Sequence, residues 1–545
     1  MYKFLLLKGR VYLDVCNILI NLFGGLGLFL FGMKLMGEGL ENATGEKLKG
    51  VLEKVTNNKY LGVAVGILVT AIIQSSSATT VMVVSFVNAG LMTLIQAVGV
   101  IMGANIGTTV TAQLVSFNLE KIAPLFIGIG AIIMMMSKKK RIKDIASIAL
   151  GFGILFSGMN MMSESMQPLA ESERIKDVLY IIGDNPILGV LTGLVMTALV
   201  QSSSATTGIL VALAITKTIT LQIALPIIFG CNIGTCITAL LASVGSNKTA
   251  KKAALIHLIF NVVGVIMFLP FTNLLVEIVE KTNTYDVARQ VANAHTIFNV
   301  SVTIVLLPLS KYLVKLVNKI LPGKDPMKHV GALYLDKKLL ETPIVATGQV
   351  FKETIRMGEI AKKNVELAMR ALLEEDEDAI KEVYSNEEII NSLEKEIVDY
   401  LVLLSSHELP DEDSKILSAT FHVTNDIERI GDHAKNIIEL TIEKQKHNAK
   451  IEGEVKEEAM NMYRKTLEAV TVALDCYSKK DIIEAKKIKE IEESINEYER
   501  KLRENNILRL NKRVCSANVS AIFLDLISNL ERIGDHSTNI AERVL

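Results

Sequence analysis

The sequence predicts an all-α protein in two unlike parts: a polytopic membrane domain of inverted repeats with two re-entrant helical hairpins, followed by a soluble tandem three-helix-bundle domain. Three observations carry this. Half of the 545 residues are hydrophobic while 21% are charged, with mean hydropathy +0.36, a blend too apolar for a soluble enzyme and too charged for an all-membrane chain. The charges segregate, with long apolar stretches up to about Asn318 and frequent Glu and Lys beyond Pro322. Each part also contains a motif that recurs at fixed spacing. The expected boundaries are a membrane domain over 1–320, a linker over 321–340 and a soluble domain over 341–545. A net charge of −1 and a pI near 6.7 argue against a nucleic-acid partner. The five cysteines, Cys16, Cys231, Cys236, Cys476 and Cys515, form no CxxC pair, which excludes a disulfide-stapled secreted protein.

A membrane span needs roughly 20 apolar residues, because the hydrocarbon core is about 30 Å thick. Five stretches meet that length, 17–36, 92–115, 146–167, 220–243 and 253–275. Two more, 122–136 and 289–318, are expected as spans although the first is short and the second amphipathic at its start. Two others break the rule. Leu61–Ile73 meets Gln74-Ser75-Ser76-Ser77, and Ile187–Val200 meets Gln201-Ser202-Ser203-Ser204, before each resumes as a short apolar run. Irregular polar backbone at membrane depth is tolerated only where protein or a watery cavity surrounds it. Each is therefore read as a re-entrant hairpin with the serines at its tip.

Basic loops set the orientation. Lys138–Arg141 with Lys143, the Lys248, Lys251, Lys252 loop, and Lys311, Lys315 and Lys319 are all expected on the cytoplasmic side, with Glu277, Glu280 and Asp286 outside. The first hairpin then enters from inside and the second from outside. Met1–Arg10, with Lys3, Lys8 and Arg10, falls on the outer side against this rule, as an interfacial helix or a further partial insertion.

Gln-Ser-Ser-Ser-Ala-Thr-Thr begins at position 74 and again at 201, a shift of 127, and Gly103-Ala-Asn-Ile-Gly-Thr108 recurs as Gly230-Cys-Asn-Ile-Gly-Thr235 at the same shift. Repeat one is expected over about 17–136 and repeat two over about 145–310. With the orientation above they form an inverted repeat, an architecture that places substrate near the midplane where broken helices meet. Half-helix N-termini offer N–H groups to an anion, and carbonyls at the broken ends suit a hard cation. Neither 61–119 nor 186–216 contains Asp, Glu, Lys, Arg or His. Bare anionic charge in low dielectric is costly, so a co-bound cation is the expected compensation. These residues imply cation-coupled anion transport and leave the anion open.

The doubled Gln-Ser-Ser-Ser tip with the doubled Asn-Ile-Gly-Thr box resembles the type II sodium/phosphate cotransporter family over residues 17–318. The resemblance implies inorganic phosphate as substrate and Na⁺ as coupling ion in a plasma-membrane (bacterial inner-membrane) protein, with homodimers expected. It implies phosphate at Gln74, Ser75, Ser76, Gln201, Ser202 and Ser203, and sodium at Gln74, Ser77, Asn105, Ser202, Thr235 and Thr238. Cys231 stands where some relatives carry Ser. A second echo, His257-x-x-Phe-Asn261 and His295-x-x-Phe-Asn299, lies outside this repeat. It is read as a polar pair fixing helix contacts or a dimer seam, or as a proton or substrate site.

The soluble half shows helical periodicity and its own duplication. Asp426-Ile-Glu-Arg-Ile-Gly-Asp-His433 recurs as Asn529-Leu-Glu-Arg-Ile-Gly-Asp-His536, a shift of 103, within repeats of about 341–445 and 455–545. Glu428/Asp432 and Glu531/Asp535 sit one turn apart on one face. Two such stripes facing each other could hold a metal through carboxylates, or the acids could pair with Arg429 and Arg532, or form a buried polar seam. This tandem resembles the PhoU-like phosphate-regulatory domain, whose E-x-x-x-D motifs bind metal clusters. The resemblance implies a divalent metal or iron, a cytoplasmic domain and a phosphate-signalling partner. No catalytic triad, P-loop or dinucleotide fingerprint occurs, so no enzyme is expected. The functional readings are sodium-coupled phosphate import with a regulatory tail, a phosphate exporter or overflow valve on the same scaffold, and a membrane-tethered phosphate sensor.

Overall fold

The computed structural model describes residues 2–53, 58–117, 119–170, 172–323, 331–407 and 409–544, with side chains absent from the description at 2–16, 45–53, 169–170, 174–175 and 411–412. The side chains of Lys3, Lys8 and Arg10, and the linker core Lys324–Pro326, lie outside it. Two compact units result, Met1–Pro326 and Met327–Leu545. Among the described residues the regular elements are all helices.

The first unit contains α1 (Tyr2–Glu53), α2 (Lys59–Ile73), α3 (Ser76–Asn88), α4 (Leu94–Val115), α5 (Ala123–Met136), α6 (Lys140–Ala170) and α7 (Glu173–Asp184). It continues through α8 (Pro186–Val200), α9 (Ser203–Ile215), α10 (Leu221–Ala242), α11 (Lys248–Phe268), α12 (Thr272–Thr282), α13 (Val287–Leu306) and α14 (Ser310–Ile320). Among the described residues, five helical stretches are long and apolar enough to cross a membrane: Asn17–Thr44, Leu94–Val115, Lys140–Pro168, Leu221–Ala242 and Lys248–Thr282. The expected span at 122–136 is the 14-residue helix α5, short of the roughly 20 needed. The expected span at 289–318 is broken, with α14 turning 80° from α13 at Pro308, which cannot donate to a continuing helix. On α14, Ser310, Leu313 and Val317 face the protein, so the turn keeps its basic residues Lys311, Lys315 and Lys319 off the core. The N-terminal segment is the start of α1, a continuous helix of 52 residues.

Glycines set how closely these helices approach. The scaffold helices α1 and α6 cross where a Cβ on Gly32 would lie 2.6 Å from the Gly151 carbonyl oxygen, and one on Gly158 would lie 2.6 Å from that of Gly25. The hairpin helices sit just as close to the box helices. A Cβ on Gly103 would meet the Val63 oxygen at 2.1 Å, and one on Gly230 the Val190 oxygen at 1.9 Å. Val63 and Val190 are themselves 127 positions apart, so sequence repeat and packing repeat coincide.

Helix α11 packs on α3, α4 and α10, while α13 packs on α9, α10 and α4. Exchanging the two repeats exchanges these two sets of neighbours, so α11 and α13 occupy equivalent places. The His-x-x-Phe-Asn echo therefore belongs to the repeat symmetry, which corrects the reading that set it outside. It escaped the 127-residue register because its own shift, from 257 to 295, is 38.

The second unit holds two three-helix bundles. The first is α15 (Pro343–Glu374), α16 (Glu377–Ser405) and α17 (Asp411–Lys446). The second is α18 (Gly453–Lys479), the single turn α19 (Ile482–Ala485), α20 (Ile488–Asn511) and α21 (Ala517–Glu542). Residues 331–340, expected to end the linker, are tied to the first bundle. The buried Glu353 carboxylate accepts from the Leu333 and Tyr334 N–H groups at 2.8 and 2.6 Å, and the Tyr400 hydroxyl donates to the Asp336 carbonyl at 2.8 Å.

Candidate functional site

Each hairpin is a pair of helices separated by two residues, Gln74-Ser75 and Gln201-Ser202. Gln74 ends α2 in the left-handed region (φ 59°) and Gln201 ends α8 likewise (φ 55°), a conformation uncommon for any side chain but Gly or Asn. The next residue caps the second helix. Ser75 Oγ accepts from Ala78 N–H at 3.1 Å and Ser202 Oγ from Ala205 N–H at 3.2 Å, both as N-caps. The first N–H groups of α3 and α9 have no intrahelical acceptor, so Ser76, Ser77, Ser203 and Ser204 bring donors to the tips. A threonine pair fastens each hairpin: Thr70 to Thr79 at 3.0 Å and Thr197 to Thr206 at 3.2 Å. Thr79 and Thr206 belong to the repeated motif, while Thr70 and Thr197 were not singled out in the sequence, although they too lie 127 apart.

The boxes lie behind the tips. A Cβ on Gly107 would meet Thr70 Cβ at 2.7 Å, and one on Gly234 would meet Thr197 Cβ at 2.7 Å. Around this shared frame the copies differ. In repeat one, Thr111 Oγ1 donates to Gln74 Oε1 at 2.9 Å and Gln74 is buried. Asn105 donates from Nδ2 to Asn261 Oδ1 at 2.8 Å, and its Oδ1 lies 3.2 Å from His257 Nε2. In repeat two, Gln201 is exposed and Thr238, the counterpart of Thr111, donates to the Thr235 carbonyl at 2.9 Å. Asn232, the counterpart of Asn105, turns to its own helix at Ile228 O, 3.3 Å away. Thr235 bonds its own turn at Cys231 O, 2.9 Å, as its counterpart Thr108 does at Ala104 O, 3.1 Å. Ser76 and Ser203 are buried, while Ser75, Ser77 and Ser202 are half-buried. Repeat one therefore joins tip to box through Gln74, whereas in repeat two Gln201 and Thr238 are not joined.

In the second unit the two acidic stripes do not face each other. Glu428 and Asp432 lie against Glu387 and Glu394 of α16, and Glu531 and Asp535 lie near Glu492 and Glu499 of α20. The seam between α17 and α21 is made instead by His433 with Asn529 and His536 with Asp426, each at 2.9 Å. Burial, with repulsion from Asp432, pushes the Glu387 carboxyl up to about 7. Burial with repulsion from Asp432 also raises Glu428, burial with repulsion from Asp535 raises Glu531, and burial raises Asp535. Among the described residues, Glu428 Oε2 is buried without a hydrogen-bond partner. Arg429 lies 3.6 Å from Glu428 and 3.4 Å from Asp432 at the edge of the cluster. Among the described residues no three His, Cys, Asp or Glu side chains converge as metal ligands. The mutually repelling carboxylates nevertheless fit the charge requirement of a cation.

A set of apolar helices with two broken, serine-tipped hairpins, followed along the chain by a tandem of helical bundles, defines a membrane protein of the transporter class with an appended helical domain. The Na⁺/Pi-cotransporter profile matches residues 28–164 and again 157–282, and the PhoU domain profile matches 354–441 and 459–544. The chain belongs to the Na⁺/Pi-cotransporter family and carries a C-terminal PhoU domain. It is 24% identical, over 97% of both chains, to the Escherichia coli K12 protein named "Putative inorganic phosphate export protein YjbB". Uncharacterized protein YqeW of Bacillus subtilis is 33% identical over 48% of this chain and 86% of its own. The crystal structure of PhoU from Pseudomonas aeruginosa aligns with 38% of this chain and 96% of its own at 22% identity and TM-score 0.35.

Proposed function

We propose that the protein is a Na⁺-coupled inorganic phosphate carrier of the plasma membrane, working by alternating access between inverted repeats, with its PhoU domain in the cytoplasm as a regulator of flux. The observation that carries this is the duplicated broken hairpin, whose tips offer N–H and hydroxyl donors and no charged side chain. Phosphate is held between the tips by Gln74, Ser75, Ser76, Gln201, Ser202 and Ser203. Sodium neutralises it from Gln74, Ser77, Asn105, Ser202, Thr235 and Thr238. If Na⁺ supplies the counter-charge, linkage requires each ligand to tighten the other. Phosphate affinity is expected to rise with Na⁺ in detergent-solubilised protein, and equal binding in NaCl and choline chloride would refute the coupling.

A second reading, export, is favoured by the full-length match to a relative named as a phosphate export protein. A carrier follows its combined gradients, so the two readings share one site. Radiolabelled phosphate flux in proteoliposomes, with the Na⁺ gradient imposed in each direction, separates them.

The tail is proposed to bind a divalent metal or iron through Glu428, Asp432, Glu531 and Asp535, with Glu387 adjoining the first pair. Without metal, a Glu387 carboxyl titrating near 7 rather than 4.5 favours the protonated folded state. Its contribution is fully present below about pH 4.5 and lost as pH rises through 7. The metal-free fragment 331–545 is therefore expected to lose melting temperature between pH 5 and 8. Bound metal removes the repulsion, flattens that decline and raises the melting temperature. Changing the four acids to Ala should abolish the metal-dependent shift while keeping helical circular dichroism; equal metal content in mutant and parent would exclude these ligands.

A further inference from the structure

The two repeats share their motifs, their backbone frame and their serine caps and threonine pairs, yet they make different hydrogen bonds at the tip glutamine, at the box asparagine and at the threonine that follows the box. In repeat one, the amide of Asn105 is held from α11 by His257 and Asn261. In repeat two, both ring nitrogens of His295 on α13 are buried, the residue being 1% exposed, and have no hydrogen-bond partner among the described residues. Asn299 donates only to the His295 carbonyl, 2.9 Å away, and Asn232 to Ile228 O.

His295 stands in the right register to do otherwise. Phe229 and Phe298 stack with ring centroids 4.5 Å apart. Phe229 lies three residues before Asn232, and Phe298 three after His295. The equivalent positions in repeat one are Met102 and Phe260, flanking the Asn105–His257 bond in the same order. α13 thus lies on α10 in the register that α11 keeps on α4. The bond is made in one copy and missing in the other.

The tips follow the same division. Gln74 is buried and bonded to Thr111, while Gln201 is exposed and Thr238 is turned back on its own helix. Two latches, one at the box and one at the tip, are therefore both closed in repeat one and both open in repeat two. A buried imidazole without partners is costly, so a state that satisfies His295 must gain what this one loses there.

We propose that His257 and His295 are positioning residues that engage the box asparagines in alternation. In the state described here His257 holds Asn105 and tip one is closed. In the opposite state His295 holds Asn232, tip two is closed, and Asn105 is released. The latch carries the box asparagine toward or away from the tip, which would make ion coordination at Asn105 conditional on the state of the carrier. This rests on the carrier reading above but invokes neither phosphate nor sodium.

The test is thiol accessibility in the full-length protein in liposomes, with Cys16, Cys476 and Cys515 replaced by Ser and the buried Cys231 and Cys236 kept. Gln74→Cys and Gln201→Cys serve as separate probes for a polar maleimide, without phosphate or Na⁺; each lacks its own tip glutamine, so labelling reads how the box latch alone moves the tip. His257→Ala is expected to raise labelling of Gln74→Cys and lower that of Gln201→Cys by about tenfold, the order expected for one buried hydrogen bond. His295→Ala, which removes no hydrogen bond made by the ring in this state, is expected to lower labelling of Gln74→Cys to a similar extent. His257→Gln, whose amide can still donate to Asn105, should stay near the parent, a rescue that simple packing damage would not allow. Shifts in the same direction for both alanine variants overturn the proposal, as does unchanged Gln74→Cys labelling in His295→Ala. Should His257→Ala fail to assemble, His295→Ala alone decides. Phosphate and Na⁺ binding, measured separately, test the carrier reading and can fail while the reciprocal labelling holds.

Discussion

Phosphate binding falls by about five- to 150-fold in Ser75→Gly and again in Ser202→Gly, with folding retained, if the two tips hold the anion. The range corresponds to the roughly 1–3 kcal/mol lost when a buried polar group is left without its partner. Glycine is the informative replacement because both serines have a second duty. Each caps the following helix through Ala78 or Ala205 N–H. An N-cap changed to Ala costs about 0.5–2 kcal/mol of stability, whereas Gly costs only a few tenths. Alanine would therefore lower affinity and stability together and leave the cause ambiguous. Equilibrium binding of labelled phosphate, read beside the melting temperature, separates them. Parental affinity in the double glycine variant would remove the tips from the site.

Gly103→Ala and Gly230→Ala are expected to be among the most damaging single-methyl additions to the membrane unit. Their Cβ atoms would stand 2.1 and 1.9 Å from the backbone oxygens of Val63 and Val190. No rotamer change relieves a clash with a carbonyl, so α2 must move from α4, or α8 from α10, by about 1 Å or more. Overpacking costs about 1–3 kcal/mol where side chains can adjust, and here backbone must move. The same shift draws the tip off its box, because Gly107 and Gly234 lie one turn further along the same contact. The melting temperature should drop by several degrees and phosphate binding should weaken in both variants. Gly27→Ala and Gly128→Ala are the controls. Nothing lies within 4 Å of either new Cβ, and Ala is the better helix former by roughly 1 kcal/mol. If the box variants behave like these controls, the close approach is not what holds tip to box.

The two-part architecture was legible because its signals are local or periodic. Apolar length identifies candidate spans, 3.6-residue periodicity marks the soluble helices, and the exact return of Gln-Ser-Ser-Ser-Ala-Thr-Thr at 127 marks the two tips. Both broken helices, with their left-handed glutamines and serine caps, fall where that motif put them. The soluble acids were legible as stripes but not by partner. Glu428 lies two residues, about 200° of helix, from Asp426, so the two belong to different faces. Which face meets α16 and which meets α21 depends on how three helices pack, and the i, i+4 spacing carries no information about that. The pairing of His257 with Asn105 was hidden for a related reason. The partners are 152 positions apart, and the echo at α13 runs at 38 rather than 127. The sharpest case is the glutamine pair. Gln74 and Gln201 open identical seven-residue segments, yet one is buried on Thr111 and the other is exposed. Identical local sequence has identical local preferences. The difference between the two tips is therefore decided by the helices packed around them, through hydrogen bonds that only the folded chain brings within reach.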